Sequence, residues 1–170
     1  MSACPSVTAV FFWFSKKPTT VGVSKLQGMN MGLDCYWIKP GESKSQPLDF
    51  HPPLCIEDDY DHKDRREGWA VFAGARGFEY AIRDITGVSL RARLTTGTVL
   101  QIAEQLDAFA AQLEAVAATG FPVPRSRFRR LDGSPVPGHS WEDFDGEVYR
   151  DIARMFRAYG GAGYELSGSW

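Results

Sequence analysis

The stretch Thr98-Val99-Leu100-Gln101-Ile102-Ala103-Glu104-Gln105-Leu106-Asp107-Ala108-Phe109-Ala110-Ala111-Gln112-Leu113-Glu114-Ala115-Val116 sets Val99, Ile102, Leu106, Phe109, Leu113 and Val116 on one side of a 3.6-residue repeat. That stripe predicts an amphipathic helix. Thr98 with Gln101 three residues on fits a capping box, and Gly120 and Pro122 close the far end. Just upstream, Val88, Leu90, Ala92 and Leu94 alternate with Ser89, Arg91 and Arg93, which predicts a strand with one wet face. Before that, Phe78, Ala81, Ile82 and Ile85 fall at i, i+3, i+4 and i+7. They predict a short helix delivered by the turn Gly74-Ala75-Arg76-Gly77 and stopped by a left-handed Gly87.

Working outward, residues 33–38 form an apolar and aromatic run ended by Pro40-Gly41, as a buried strand and turn would. Residues 39–67 lose periodicity, and Pro40, Pro47, Pro52 and Pro53 preclude a long helix there. Residues 69–73 read as a strand. Residues 121–140, with four prolines, read as a connector, after which Ser140 and Asp143 offer a cap for a third helix. Its inner face would be Trp141, Phe144, Val148, Ile152, Met155, Phe156 and Tyr159, and Gly160-Gly161 would end it. Tyr164, Leu166 and Trp170 alternate as a terminal strand. The order of elements predicts an α+β domain, about three helices packed on a small mixed or antiparallel sheet.

Composition bounds the function. With 170 residues, 44% apolar and 24% charged, the chain suits one ordinary domain with a sizeable core. A net charge of -2 gives no general attraction to nucleic acid or to an anionic membrane. The longest apolar run, residues 10–14, falls far short of the roughly 20 residues that cross a bilayer, so no transmembrane helix is expected. Cys4, Cys35 and Cys55 are too few and too odd for a disulfide scaffold, which predicts a reducing compartment, the cytoplasm by default. Residues 1–28 carry lysines but no acid, whereas all 21 acidic residues and 16 of the 19 cations lie in 29–170. The boundary predicts an N-terminal extension, read as a product of start-codon choice ahead of Met31 or as an added edge strand over residues 7–14, followed by a single globular domain over 29–170.

Met31-Gly32-Leu33-Asp34-Cys35-Tyr36, then Arg76-Gly77-Phe78-Glu79-Tyr80 with Thr86-Gly87-Val88-Ser89-Leu90, then Phe156-Arg157-Ala158-Tyr159, Ala162-Gly163-Tyr164 and Trp170 stand in sequence along nearly the whole of residues 31–170. This pattern resembles an uncharacterised family of small bacterial and phage proteins. The resemblance implies a start at Met31 and, for a phage-type protein, interference with a host or defence component. The acidic loop and Trp69-Ala70-Val71 depart from the Gly-rich approach of the family, and Ser169-Trp170 replaces its terminal aromatic pair.

Candidate chemistry is sparse. His51, Cys55 and His62 with Cys35 offer zinc-ligand types without a C-x-x-C or H-x-x-x-H pair, so no metal is expected. The acidic run from Glu57 to Asp64 lacks the EF-hand register and reads as a solvated loop. No nucleophile motif or phosphate loop is complete, and no cofactor is expected. Arg125, Arg127, Arg129 and Arg130 around Phe128 could grip phosphate or stack a base, or could pair internally with Glu142, Asp143 and Asp145. Arg76 and Gly77, beside turn glycines and a helix start, form the candidate ligand-binding site with Asp34 and Tyr36 of the first strand. The competing account makes Arg76 an internal bridge to Asp34 or Asp84.

The function expected from this inventory is a small non-catalytic binding protein that takes a protein partner or a small anionic ligand. The alternative is a small hydrolase or transferase using His139 or an acidic-loop carboxylate. Deleting residues 1–28 is expected to leave thermal stability nearly unchanged. A loss of several kcal/mol in urea denaturation would show that the aromatics of residues 7–14 are buried in the sheet.

Overall fold

The computed structural model describes residues 33–52, 54–57, 70–72, 74–120 and 124–169, so the predicted extension over 1–28 and most of the acidic loop lie outside the described residues. Strand β1 is Asp34–Ile38, β2 is Val71–Phe72, helix α1 is Ala75–Thr86, α2 is Thr96–Ala117, α3 is Gly146–Gly161 and β3 is Glu165–Ser169. The sheet is wholly antiparallel in the order β2-β1-β3, with Cys35 opposite Phe72 and Gly168, and Trp37 opposite Leu166. Three helices packed against this small sheet make the α+β fold. Among the described residues, no helix is long and apolar enough to cross a membrane.

The pleat of β1 sends Cys35 and Trp37 into the core and leaves Asp34, Tyr36 and Ile38 on the opposite face. Trp37 stacks on Tyr159 of α3 at 4.5 Å and meets Phe156 edge-on at 5.0 Å, while Phe72 stacks on Phe78 of α1 at 5.6 Å. These contacts fasten two helices to one side of the sheet. Helices α2 and α3 form the most extensive pair. At their crossing Gly160 is buried, and a Cβ there would lie 2.8 Å from Leu100 Cδ2 and 3.1 Å from Val99 Cγ1, so α3 approaches α2 through a position with no side chain.

Three helix starts differ from the sequence reading. Helix α1 begins at Ala75, directly after Gly74 at φ 64°, so Arg76 and Gly77 belong to its first turn rather than to a preceding turn; Gly87 at φ 75° ends it as expected. The cap of α2 is Thr95, whose hydroxyl accepts the Thr98 N–H, three residues before the predicted box. Asp145 caps α3 through Val148 N–H, because Ser140–Asp143 forms a separate 3-10 turn. Trp141 and Phe144 therefore precede α3, and Tyr149, fully buried, takes a place on its inner face. The α2 stripe is buried from Val99 to Phe109 and only half-buried at Leu113 and Val116.

The largest correction falls on residues 88–94, which form no strand. Their backbone is held by side chains instead. Thr86 Oγ1 accepts Val88 N–H at 3.1 Å, Glu79 accepts Leu90 N–H at 2.7 Å and Ser89 Oγ accepts Arg91 N–H at 3.2 Å. Within this segment Leu94 forms a backbone bridge to the sheet, exchanging both bonds with Leu166. The alternation still marks burial at Leu90 and Leu94, but Ala92 is exposed.

Glu79 is fully buried, and its carboxylate also accepts the Ser89 hydroxyl at 2.7 Å, with Arg91 Nε 3.7 Å away. Replacing it by alanine strands a buried N–H and a hydroxyl. Glu79→Ala should cost about 3 kcal/mol in urea denaturation, well above an ordinary surface change. A loss below about 0.5 kcal/mol would show that Leu90 N–H finds another acceptor.

Candidate functional site

The solvent side of α1 follows from its core side. Ala75, Phe78, Ala81, Ile82 and Ile85 are buried, so Arg76, Tyr80 and Arg83, at i, i+4 and i+7, rise on the outer face. Tyr80 is 42% exposed and Leu131 59%, and these are the large apolar side chains left exposed among the described residues. The Arg83 guanidinium lies over the Tyr80 ring, 5.1 Å from its centroid, which holds both groups in one orientation.

The four predicted ligand-binding residues fall into two pairs. Arg76 and Gly77 are exposed in the first turn of α1. Asp34, exposed, and Tyr36, half-buried, lie on the face of β1 turned away from Cys35 and Trp37. The bridge from Arg76 to Asp84 is ruled out by length, since eight helical residues span about 12 Å. Asp84 instead sets its carboxylate against the space beside Gly138. Glu79 does not serve the helix dipole either, because it points into the core at Leu90.

Three of the four arginines of the cluster, Arg125, Arg129 and Arg130, bond internally, and Arg127 is exposed. Arg125 pairs with Glu142 at 2.5 Å, as the internal account expected, and its Nη1 lies 2.8 Å from His139 Nδ1. Arg129 donates to the carbonyls of Ser126 and Phe128. Arg130 donates Nε to the Asp84 carbonyl at 3.0 Å and Nη2 to the Asp84 and Arg83 carbonyls at 2.7 and 3.3 Å, closing the C-terminal end of α1. Phe128 is buried between Phe109 and Trp141 and offers no face to a base.

His139 is 70% exposed. A guanidinium only donates, so Nδ1 accepts from Arg125 and the neutral ring carries its proton on Nε2. Among the described residues no serine or cysteine side chain is hydrogen-bonded to it. Nor do three His, Cys, Asp or Glu side chains converge on a metal position among those residues; His62 of the considered zinc set lies outside them.

Both described cysteines are free and are held as neutral thiols. Burial pushes Cys35 up to about 12, with the charges of Glu79 and Asp34 adding to it. Its thiol donates to the Leu90 carbonyl across 3.7 Å. Cys55 is likewise pushed up to about 12, first by burial and then by Asp151, whose carboxylate accepts the Cys55 backbone N–H at 2.5 Å. Burial raises Tyr149 as well, and its hydroxyl donates to the Trp141 carbonyl at 2.7 Å. Neither thiol is poised as a nucleophile.

A second feature lies where α1 ends against α2: a cleft of about 380 Å³ lined by Thr86, Gln101, Glu104, Gln105 and the turn residues Arg130, Leu131 and Asp132. The sequence reading missed both this cleft and Tyr80. The spacing of Arg76, Tyr80 and Arg83 was the available signal for the exposed face; nothing local announces a cleft whose walls are about 30 residues apart in sequence.

No family model, curated protein or solved structure matches the chain. The family resemblance therefore rests on the motifs alone.

The thiols set an alkaline limit. Their folded-state values lie above the ordinary 9.0, so folding favours the protonated form. This contribution is fully present below about pH 9 and is lost as pH rises towards 12. Denaturation curves from about pH 8 to about pH 11 should show falling stability, and Cys35→Ala combined with Cys55→Ala should flatten that slope. An identical slope in the double variant would mean the thiols titrate normally.

Proposed function

We propose that this chain is a non-catalytic binding protein whose α1 outer face docks an acidic partner protein. The observation that carries the reading is Tyr80, a large aromatic left in solvent and flanked on one helical face by Arg76 and Arg83. Tyrosine and arginine dominate interface hot spots because they combine large contact area with directed hydrogen bonding. The Arg83 guanidinium over the Tyr80 ring places a cation on this face of a chain with net charge -2, which favours an acidic counterpart. The resemblance to phage-type proteins supports a host or defence component as that counterpart. The free thiols Cys35 and Cys55 support a cytoplasmic setting. The hydrolase or transferase reading gains nothing from His139, whose Nδ1 is occupied by Arg125.

Affinity capture from lysate of the source cells should retain a partner on the wild-type chain and lose it on both Tyr80→Ala and Arg83→Glu. Each change is expected to weaken the complex about 30-fold or more while shifting stability by less than about 0.5 kcal/mol. A partner held equally by both variants overturns the reading. Saturable binding of inorganic phosphate at residues 76–87, followed by amide chemical shifts with no protein captured, would replace the protein partner by a small anion.

A further inference from the structure

The cleft between the end of α1, α2 and the turn at residues 130–132 stands apart from the α1 outer face and has its own chemistry. Gln101, Glu104 and Gln105 lie within about one turn of α2, and none of them has a hydrogen-bond or ion-pair partner among the described residues. The opposite wall brings Asp132 and the exposed Leu131. Asp132 is an ionised wall: the hydroxyl and N–H of Ser134 both donate to its Oδ1, at 2.6 and 2.8 Å, and hold its carboxyl below the usual range.

Arg130 also lines the cleft, but three of its hydrogen bonds run to the final carbonyls of α1, so its charge is directed at the negative end of that helix. Two carboxylates from separate elements, two unpartnered amides and an apolar lip remain to face the space. We propose that this cleft binds an aliphatic primary ammonium, with the charged nitrogen donating to Glu104 and Asp132, the amide oxygen of Gln101 or Gln105 accepting its third hydrogen, and the alkyl stem against Leu131. An ammonium has three donors and no acceptor, which matches walls whose carboxylates only accept, Asp132 through its second oxygen, and whose amides can turn an oxygen inward. The volume of about 380 Å³ holds a short alkyl chain with its hydration water. The same chemistry is carried by a free diamine and by a lysine side chain of a polypeptide.

The test is an NMR titration of the full chain, following the side-chain amides of Gln101 and Gln105. One arm uses 1,4-diaminobutane and the other Nα-acetyl-lysine methylamide, each at near-physiological salt. Saturable shifts in either arm are expected, and the arm that saturates first identifies a free amine or a peptide side chain as the source. Glu104→Gln should weaken that binding about tenfold, the effect of one charge-assisted hydrogen bond, and Leu131→Ser should weaken it to a lesser degree. Both side chains are on the surface, so an unchanged melting temperature separates lost binding from lost folding. The proposal is overturned by the absence of saturation below about 10 mM in both arms, by undiminished binding in Glu104→Gln, or by tighter binding of acetate than of either amine.

Discussion

The carboxylate of Glu79 is the constraint on which the arrangement of this domain depends. A buried acid costs several kcal/mol to desolvate and persists only where donors surround it. Here the donors are the Ser89 hydroxyl and the Leu90 N–H, both in the segment that follows α1. Holding that segment fixes Leu90 in the core and turns its carbonyl toward Cys35 of the central strand. It also brings residues 90 and 91 so close to β3 that a Cβ on Gly168 would lie 2.6 Å from the Leu90 oxygen. One side chain thus ties the segment after α1 to the core, where it crosses the end of the sheet.

Around this polar anchor the core is largely aromatic. Trp37, Phe156, Tyr159 and Tyr164 form one continuous group from β1 through α3 to the residue before β3, and Phe109, Phe128, Trp141 and Tyr149 form another between α2 and α3. Several of these rings use a polar edge to capture loops. Tyr159 Oη accepts Leu48 N–H at 3.1 Å, and Tyr164 Oη donates to the Gln46 carbonyl at 3.0 Å. Gln46 and Leu48 of the segment after β1 are held in this way by the two rings. The rings supply area and their hydroxyls supply direction.

What could be read from the sequence follows from this division. Elements whose burial repeats with their own period were legible: the α1 and α2 stripes, the strand at residues 33–38 and the terminal strand all stand where the apolar spacing put them. Residues 88–94 carried a strand's alternation but lacked strand neighbours along their length, and spacing within a segment says nothing of its neighbours. Glu79 was legible only in hindsight, as a carboxylate at i+4 from Ala75 and i−3 from Ile82 on a buried stripe. Caps shifted by a few residues because Thr95, Thr98, Asp143 and Asp145 all carry suitable oxygens, and tertiary packing chooses among them. Of the candidate site residues, Arg76 and Gly77 were read as a turn ahead of the helix and stand inside its first turn, and β1's pleat sets Asp34 and Tyr36 on the side of the sheet away from the core, which a list of residue types does not reveal.

The excursion between α2 and α3 has a mechanical consequence. The side-chain amide of Gln112 donates to the Arg129 carbonyl at 2.8 Å and accepts the Arg129 N–H at 2.9 Å, copying the paired bonds of a neighbouring strand. The adjacent residue, Arg130, is fastened to the last carbonyls of α1. Two successive residues of one turn are therefore bolted to two different helices, and the turn acts as a crossbar between them. The end of α1 and the C-terminal half of α2 are thereby tied to one another by a single peptide unit of the turn and by two side chains, Arg130 and Gln112, each held by more than one hydrogen bond.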